Sequence, residues 1–235
     1  MKLIEFKQSD GVGRLVLQRA PASNAFTSAM LNQTAKILET ARDECTIIVI
    51  SSDGDDFSLG RDREEPKNPG GPFAAFSEIS RVNAAFAAFP GIVVSAIKGR
   101  AFGFGLGLAM RSDIALATTD ARFMLDEVSL GFPPMFLMEV ILDHLPPKRA
   151  LDLILTSREF GAEEALEIGL VSRLVPADQL GSAVTDYIAT LGDPDPDVLK
   201  TCKRYLSEVR RMSPDARPAN ALVEQTRFAQ RTIDG

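Results

Sequence analysis

An α/β fold followed by a helical subdomain is what three observations in the sequence predict. Short apolar runs recur as strand, turn and helix through roughly the first 145 residues, and beyond Gly131 the apolar spacing turns helical. The chain has 235 residues, 45% apolar and 25% charged, which is enough to bury the core of one or two domains.

Taken in order, residues 3–7 and 14–18 alternate apolar and polar side chains around Ser9-Asp10-Gly11, the pattern of a half-buried hairpin. Met30, Leu31, Thr34, Ile37, Leu38 and Ala41 fall on one helix face, with Thr27 or Ser28 as cap. The run TIIVIS at 46–51 predicts a strand buried on both faces. RDREEPKNPGGP at 61–72 reads as a mobile surface loop. A helix over 73–89 and a buried strand over 92–97 follow. A glycine-punctuated turn then leads into a short helix, and residues 114–118 and 122–125 read as strands. After Gly131 the expectation is helices alone, over 148–157, 162–168, 178–191, 197–212 and 219–232.

Composition excludes several chemistries. One histidine (His144) and two distant cysteines (Cys45 and Cys202) cannot supply a His- or Cys-rich metal site, and they suit a reducing compartment rather than a disulfide framework. A net charge of -6 argues against nucleic acid as the main partner. No apolar run is long enough to span a bilayer, so the expectation is a cytoplasmic protein without membrane insertion.

Three features could carry chemistry. Two glycine turns, Phe57-Ser58-Leu59-Gly60-Arg61-Asp62 and Gly99 to Gly107, each follow a strand. Glycine lets backbone approach a ligand closely, and a helix starting there offers free N–H groups to an anion. The same glycines equally fit tight strand-to-helix packing. The third feature is Glu127, a carboxylate in an apolar stretch, where burial would raise its pKa toward a value useful in proton transfer. Beside Asp126 in a loop, it also reads as a solvated surface acid. A Ser-His-Asp hydrolase built on His144 with Ser129 or Ser112 is disfavoured, because neither serine lies in a G-x-S-x-G turn.

Together these features resemble the enoyl-CoA hydratase/isomerase, or crotonase, family from about Ile4 to Pro176. Asn24-Ala25-Phe26 resembles its N-terminal NAL segment, and IVISSDGDDFSLGRD its strand, turn and F-x-x-G-x-D signature. IKGRAFGFGLGLAMRSDIALAT resembles its G-x-A-x-G-x-G turn, helix and following strand. LTSREFGAEEALEIGLVSRLVP resembles its helical stretch ending in a G-L-V-like run.

The resemblance implies a crotonase-like spiral of ββα units over 1–190 and a C-terminal helical oligomerisation region over 191–235, shortened relative to the family. It implies an acyl group on coenzyme A as substrate, CoA being part of that substrate with no tightly bound cofactor or metal, and a homotrimer or dimer of trimers. By position, the backbone N–H groups of Arg61 and Phe104 form the oxyanion hole. Ala22, Ser23, Ala25, Ser58, Gly60, Gly103, Pro134 and Met135 fall at substrate-binding positions. Arg19, Arg61, Arg63, Lys67 and Arg100 lie in or near the ligand-facing loops, although the basic residue common before the NAL-like motif is missing.

Family hydratases use two glutamates. Here Glu127 fills one position and Gly107 the other, so the chain resembles single-glutamate Δ3-Δ2-enoyl-CoA isomerases. The apolar run Gly131 to Met138 agrees, since hydratases are glycine-rich there. Hydration, and a catalytically inactive acyl-CoA-binding member, remain the alternatives.

Overall fold

The hairpin that opens the chain is set by two residues with positive φ. Asp10 (φ 51°) and Gly11 (φ 72°) form its tip, the pair of left-handed residues that matches strand twist in a two-residue loop. Strands β1 (Ile4–Ser9) and β2 (Val12–Leu17) flank it. The computed structural model describes residues 3–192 and 195–234.

Helix α1 (Ser28–Ala41) is capped by Thr27, whose Oγ1 accepts from the Met30 N–H at 3.3 Å. It leads to β3 (Ile47–Ser52), then α2 (Gly71–Ala88) and β4 (Ile92–Ile97). Next come β5 (Arg100–Phe102), α3 (Phe104–Arg111), β6 (Ile114–Thr118) and β7 (Arg122–Met124). The remainder holds α4 (Met135–Ile141), α5 (Pro147–Thr156), β8 (Phe160–Gly161), α6 (Ala162–Glu167), β9 (Arg173–Val175), α7 (Leu180–Gly192), α8 (Pro196–Val209) and α9 (Arg217–Asp234).

The main sheet has the order β1-β2-β3-β4-β6-β9, antiparallel at the hairpin and parallel thereafter. A smaller sheet, β5-β7-β8, stands beside it. The two-sided burial expected of the TIIVIS run is met by different partners on each face. Ile48 and Ile50 join the core with α1 and α2, while Ile47 and Val49 join a second cluster with Val184 and Ile188 of α7.

The expectation of helices alone after Gly131 is corrected. Strand β9 pairs with β6 through Leu116↔Arg173, Ala117↔Leu174 and Thr118↔Val175, and β8 pairs with β7. Strands of two or three residues are too short to show a period, and their partners lie far away in sequence. Strand β5 was hidden in the same way, inside a glycine-rich turn. Helix α8 is tied to the sheet by Lys203, whose Nζ donates to the Gly91 carbonyl (2.8 Å) and pairs with Asp113 (2.7 Å). Among the described residues, no helix is long and apolar enough to cross a membrane.

Candidate active site

Two parallel bridges of main-chain atoms bring the glycine turns together. Phe26 N donates to Gly60 O (2.7 Å) and Asp62 N to Phe26 O (2.9 Å). In such a bridge the residue between the two bonded groups turns its own N–H away. That residue is Arg61. The second bridge joins Ser58 to Ala101, and Gly103 N donates to Met124 O at 2.9 Å, which pins the next turn to β7.

Phe104 then begins α3, so its N–H has no intrahelical acceptor. Gly60 has φ 86°, and a Cβ there would stand 3.1 Å from Phe104 N and 3.0 Å from Phe102 O. Only glycine lets the turns meet this closely. Among the described residues, neither the Arg61 nor the Phe104 N–H has a protein acceptor. Two such donors on adjoining turns can receive a developing oxyanion.

These donors border a cavity of about 530 Å³. Its walls are mostly apolar: Leu59 and Phe104, Phe76 and Ile79 of α2, and residues 132–137. Glu127 projects into it between β7 and a 3₁₀ turn over Val128–Leu130. Its Oε2 is buried with no hydrogen-bond partner. Burial, joined by the nearby Asp126 charge and opposed by its backbone hydrogen bond and by Arg63, raises the Glu127 pKa from 4.5 to about 7.

Gly107 lies one turn further along α3, and the tip of Leu137, a residue of the cavity wall, fills the space over it. A Cβ there would stand 2.7 Å from Leu137 Cδ2. Arg111 buttresses that arrangement from behind, its buried guanidinium donating to Phe136 O (2.6 Å) and Gly107 O (3.3 Å).

An outer groove of about 400 Å³ adjoins the cavity and shares Leu59, Arg61, Arg63 and Asp126 with it. Ala22 and Ala25 line this groove. Thus Glu127, Arg61, Phe104, Gly103, Pro134 and Met135 converge on the inner cavity, and Ala22 and Ala25 on the groove. Ser23, Ser58 and Gly60 are on neither wall. The Ser23 side chain hydrogen-bonds Asp56, and buried Ser58 donates to Asn24 O (2.9 Å) while accepting from Gly60 N (3.2 Å). Their part is to shape the first turn.

The four arginines of these loops all have carboxylate partners: Arg19 with Asp62 (2.6 Å), Arg61 with Glu65 (3.1 Å), Arg100 with Asp56 (2.7 Å), and Arg63 with Asp126. The segment 61–72, expected to be a mobile surface loop, is anchored over residues 61–65, with Glu65 also accepting from the Ser28 N–H at 2.9 Å. His144 is elsewhere, its ring nitrogens against Met110 O (3.0 Å) and Gly169 O (3.3 Å). Ser112 contacts Ser95, and Ser129 donates to Asp126 O, so no hydrolase triad assembles. Sequence reasoning missed Phe76, Ile79 and the Arg63–Asp126 pair, whereas Leu137 belongs to the apolar run Gly131 to Met138. The i, i+3 spacing of Phe76 and Ile79 was a usable signal; the ion pair had none.

The enoyl-CoA hydratase/isomerase family model matches residues 7–233 of this chain. The Mycobacterium tuberculosis protein named "Probable enoyl-CoA hydratase echA8" is 33% identical over 172 residues, covering 72% of this chain and 67% of that protein. Among solved structures, an enoyl-CoA hydratase from Shewanella pealeana superimposes with TM-score 0.88 at 26% identity, covering 97% of this chain and 88% of the other. A Thermobifida fusca protein crystallised with acetoacetyl-CoA gives TM-score 0.88 at 25% identity, with 97% and 95% covered. The fold is the crotonase fold.

Proposed function

The chain belongs to the enoyl-CoA hydratase/isomerase family, and from that membership we propose that it is a Δ3-Δ2-enoyl-CoA isomerase in which Glu127 carries the proton. The observation that carries this reading is one carboxylate in an apolar cavity, its Oε2 buried without a partner, with Leu137 occupying the space above Gly107 where a second acid would have to stand.

Hydration needs one group to activate water and another to protonate carbon. Allylic isomerisation needs one group used twice. The Glu127 carboxylate takes a proton from C2 of a 3-enoyl thioester, and the electron pair moves through the carbonyl to a dienolate oxygen. The N–H groups of Arg61 and Phe104 hold that oxygen. Glu127, now a carboxylic acid, returns the proton at C4, leaving the double bond between C2 and C3. A pKa of about 7 lets one group serve as base and acid near neutrality. The apolar walls suit an acyl chain and keep water from the dienolate. The groove lined by Ala22 and Ala25 takes the coenzyme A portion. No separate cofactor is required by these steps. Exposed Leu206, Leu222 and Val223 on α8 and α9 support assembly into a homotrimer or dimer of trimers.

Hydration is the second reading, favoured by the names of the relatives. Purified protein assayed with a 3-enoyl-CoA and a 2-enoyl-CoA decides between them. The isomerase reading expects conversion of the first with little hydration of the second, and robust hydration without isomerisation would overturn it.

A further inference from the structure

Glu127 shares its surroundings with a second acid. A Cβ on Gly103 would stand 2.7 Å from Asp126 Oδ1 and 3.1 Å from Glu127 Oε1, so both carboxylates crowd one face of the turn that presents the Phe104 N–H. The charged residues on the cavity wall besides Glu127 are Arg61, Arg63 and Asp126. Arg61 is engaged by Glu65 and by Phe26 O. The contributions of α2 and α4, Phe76, Ile79, Met135, Phe136 and Leu137, are uncharged. Asp126 and Arg63 therefore define the local field.

Their pair is lopsided. The Asp126 side chain is 12% exposed and that of Arg63 is 55% exposed. Water screens the cation far more than the anion, so Arg63 offsets Asp126 only in part. Burial raises the Asp126 pKa as well, with Arg63 opposing.

The carboxylate is not needed to hold the turn. Leu130 N and Phe132 N both donate to Glu127 O (3.0 and 2.9 Å), Ser129 Oγ donates to Asp126 O (2.7 Å), and Ser129 N donates to Ser157 Oγ (3.2 Å). An uncharged side chain at position 126 leaves all of these in place.

We propose that Asp126, tethered by Arg63, is a positioning residue that adjusts the proton affinity of buried Glu127 by placing a second, partly compensated carboxylate against the Gly103 turn. This rests on the reading of Glu127 as proton carrier, and it names a charge beside Glu127 at the Gly103 turn. A like charge favours the protonated form of its neighbour, and an opposite charge the ionised form. Removing Asp126 then lowers the Glu127 midpoint, and removing Arg63 raises it.

The test is a carbon-13 NMR titration of the full chain with carboxyl-labelled glutamate, the Glu127 resonance being assigned by its loss in Glu127→Gln. Labelling glutamate alone separates this titration from that of Asp126. Asp126→Asn is expected to move the midpoint down by roughly one pH unit, and Arg63→Gln to move it up by a smaller amount. Asp126→Glu, which keeps the charge and adds one labelled resonance recognised by its absence from the parent spectrum, is expected to leave the Glu127 midpoint near that of the parent. An unchanged midpoint in Asp126→Asn with wild-type circular dichroism overturns the proposal, as does a downward move in Arg63→Gln. Exposed Arg63 gives an arm of opposite sign should Asp126→Asn fold poorly. The NMR midpoints decide the matter whichever reaction the enzyme performs. Full isomerase activity in Glu127→Gln would remove the proton-carrier reading by itself.

Discussion

The inner cavity and the outer groove are built from the same two turns yet handle charge in opposite ways. In the cavity, Glu127 keeps one oxygen buried without a partner. At the groove, Arg61 and Arg63, with Arg19 and Arg100 in the neighbouring loops, are each matched to an acid. Under the proposed function, the carboxylate that moves a proton is left with one oxygen unpartnered and a raised pKa, and the polyanionic part of the substrate meets cations already tied down, which aims them and lowers the local field in advance. Asp126 and Arg63 stand on the wall common to both regions.

The contrast can be broken most severely at Glu127. Glu127→Gln is expected to lose about 10²- to 10⁴-fold in turnover, the usual worth of general acid–base catalysis, while the Kd for an acyl-CoA measured calorimetrically stays unchanged. Gly103→Ala comes next. Gly103 has φ 48°, and an added Cβ meets Asp126 Oδ1 at 2.7 Å, so the Phe104 N–H is displaced. Losing one oxyanion donor costs about 10²- to 10³-fold in kcat, to be read from steady-state kinetics beside a melting curve.

The cavity also predicts two pH effects. As base, Glu127 must be ionised in the free enzyme, so kcat/KM is expected to fall tenfold per pH unit below about 7. Stability runs the other way. The folded pKa lies above the ordinary 4.5, so the contribution of Glu127 is fully present below 4.5 and is lost as pH rises through about 7. Glu127→Gln should therefore be more stable than the parent at pH 8 by up to about 3 kcal/mol, and by little at pH 4, in parallel denaturant titrations.

A subtler change sharpens the comparison by filling the vacant position. Gly107→Glu alone collides with Leu137 and is expected to give no hydration; Gly107→Glu with Leu137→Ala opens that space, and detectable hydration of a 2-enoyl-CoA is the expected gain. The smallest effect belongs to the loops beside the groove. Arg100→Gln removes a half-exposed cation already held by Asp56, so acyl-CoA affinity is expected to weaken by less than about tenfold, a change that shrinks with added salt.

Local patterns made much of the framework legible. The Asp10-Gly11 turn, the Thr27 cap and the two-faced β3 run are written in neighbouring residues, and the structure places each of them as expected. What stayed hidden is non-local. Strand β9 acquires its identity only by pairing with β6, and residues 61–65 look like a solvated charge run until Phe26, Ser28 and Asp126 are brought beside them. At the site, sequence order pointed to Glu127 and the glycine turns. It could not say that Leu137 fills the Gly107 space, or that Asp126 faces inward, because both depend on how α4 and the 3₁₀ turn dock.

The main-chain bridges Phe26–Arg61 and Ser58–Ala101 carry one more consequence, for how this site would look to mutagenesis. Alanine at Arg61 or Phe104 deletes a guanidinium or a ring and leaves the N–H untouched. An alanine scan would accordingly draw the site with a blank at its centre and strong signals around the rim. Only edits to the peptide group itself, such as proline at 61 or an ester in place of the 103–104 amide, would make those donors visible.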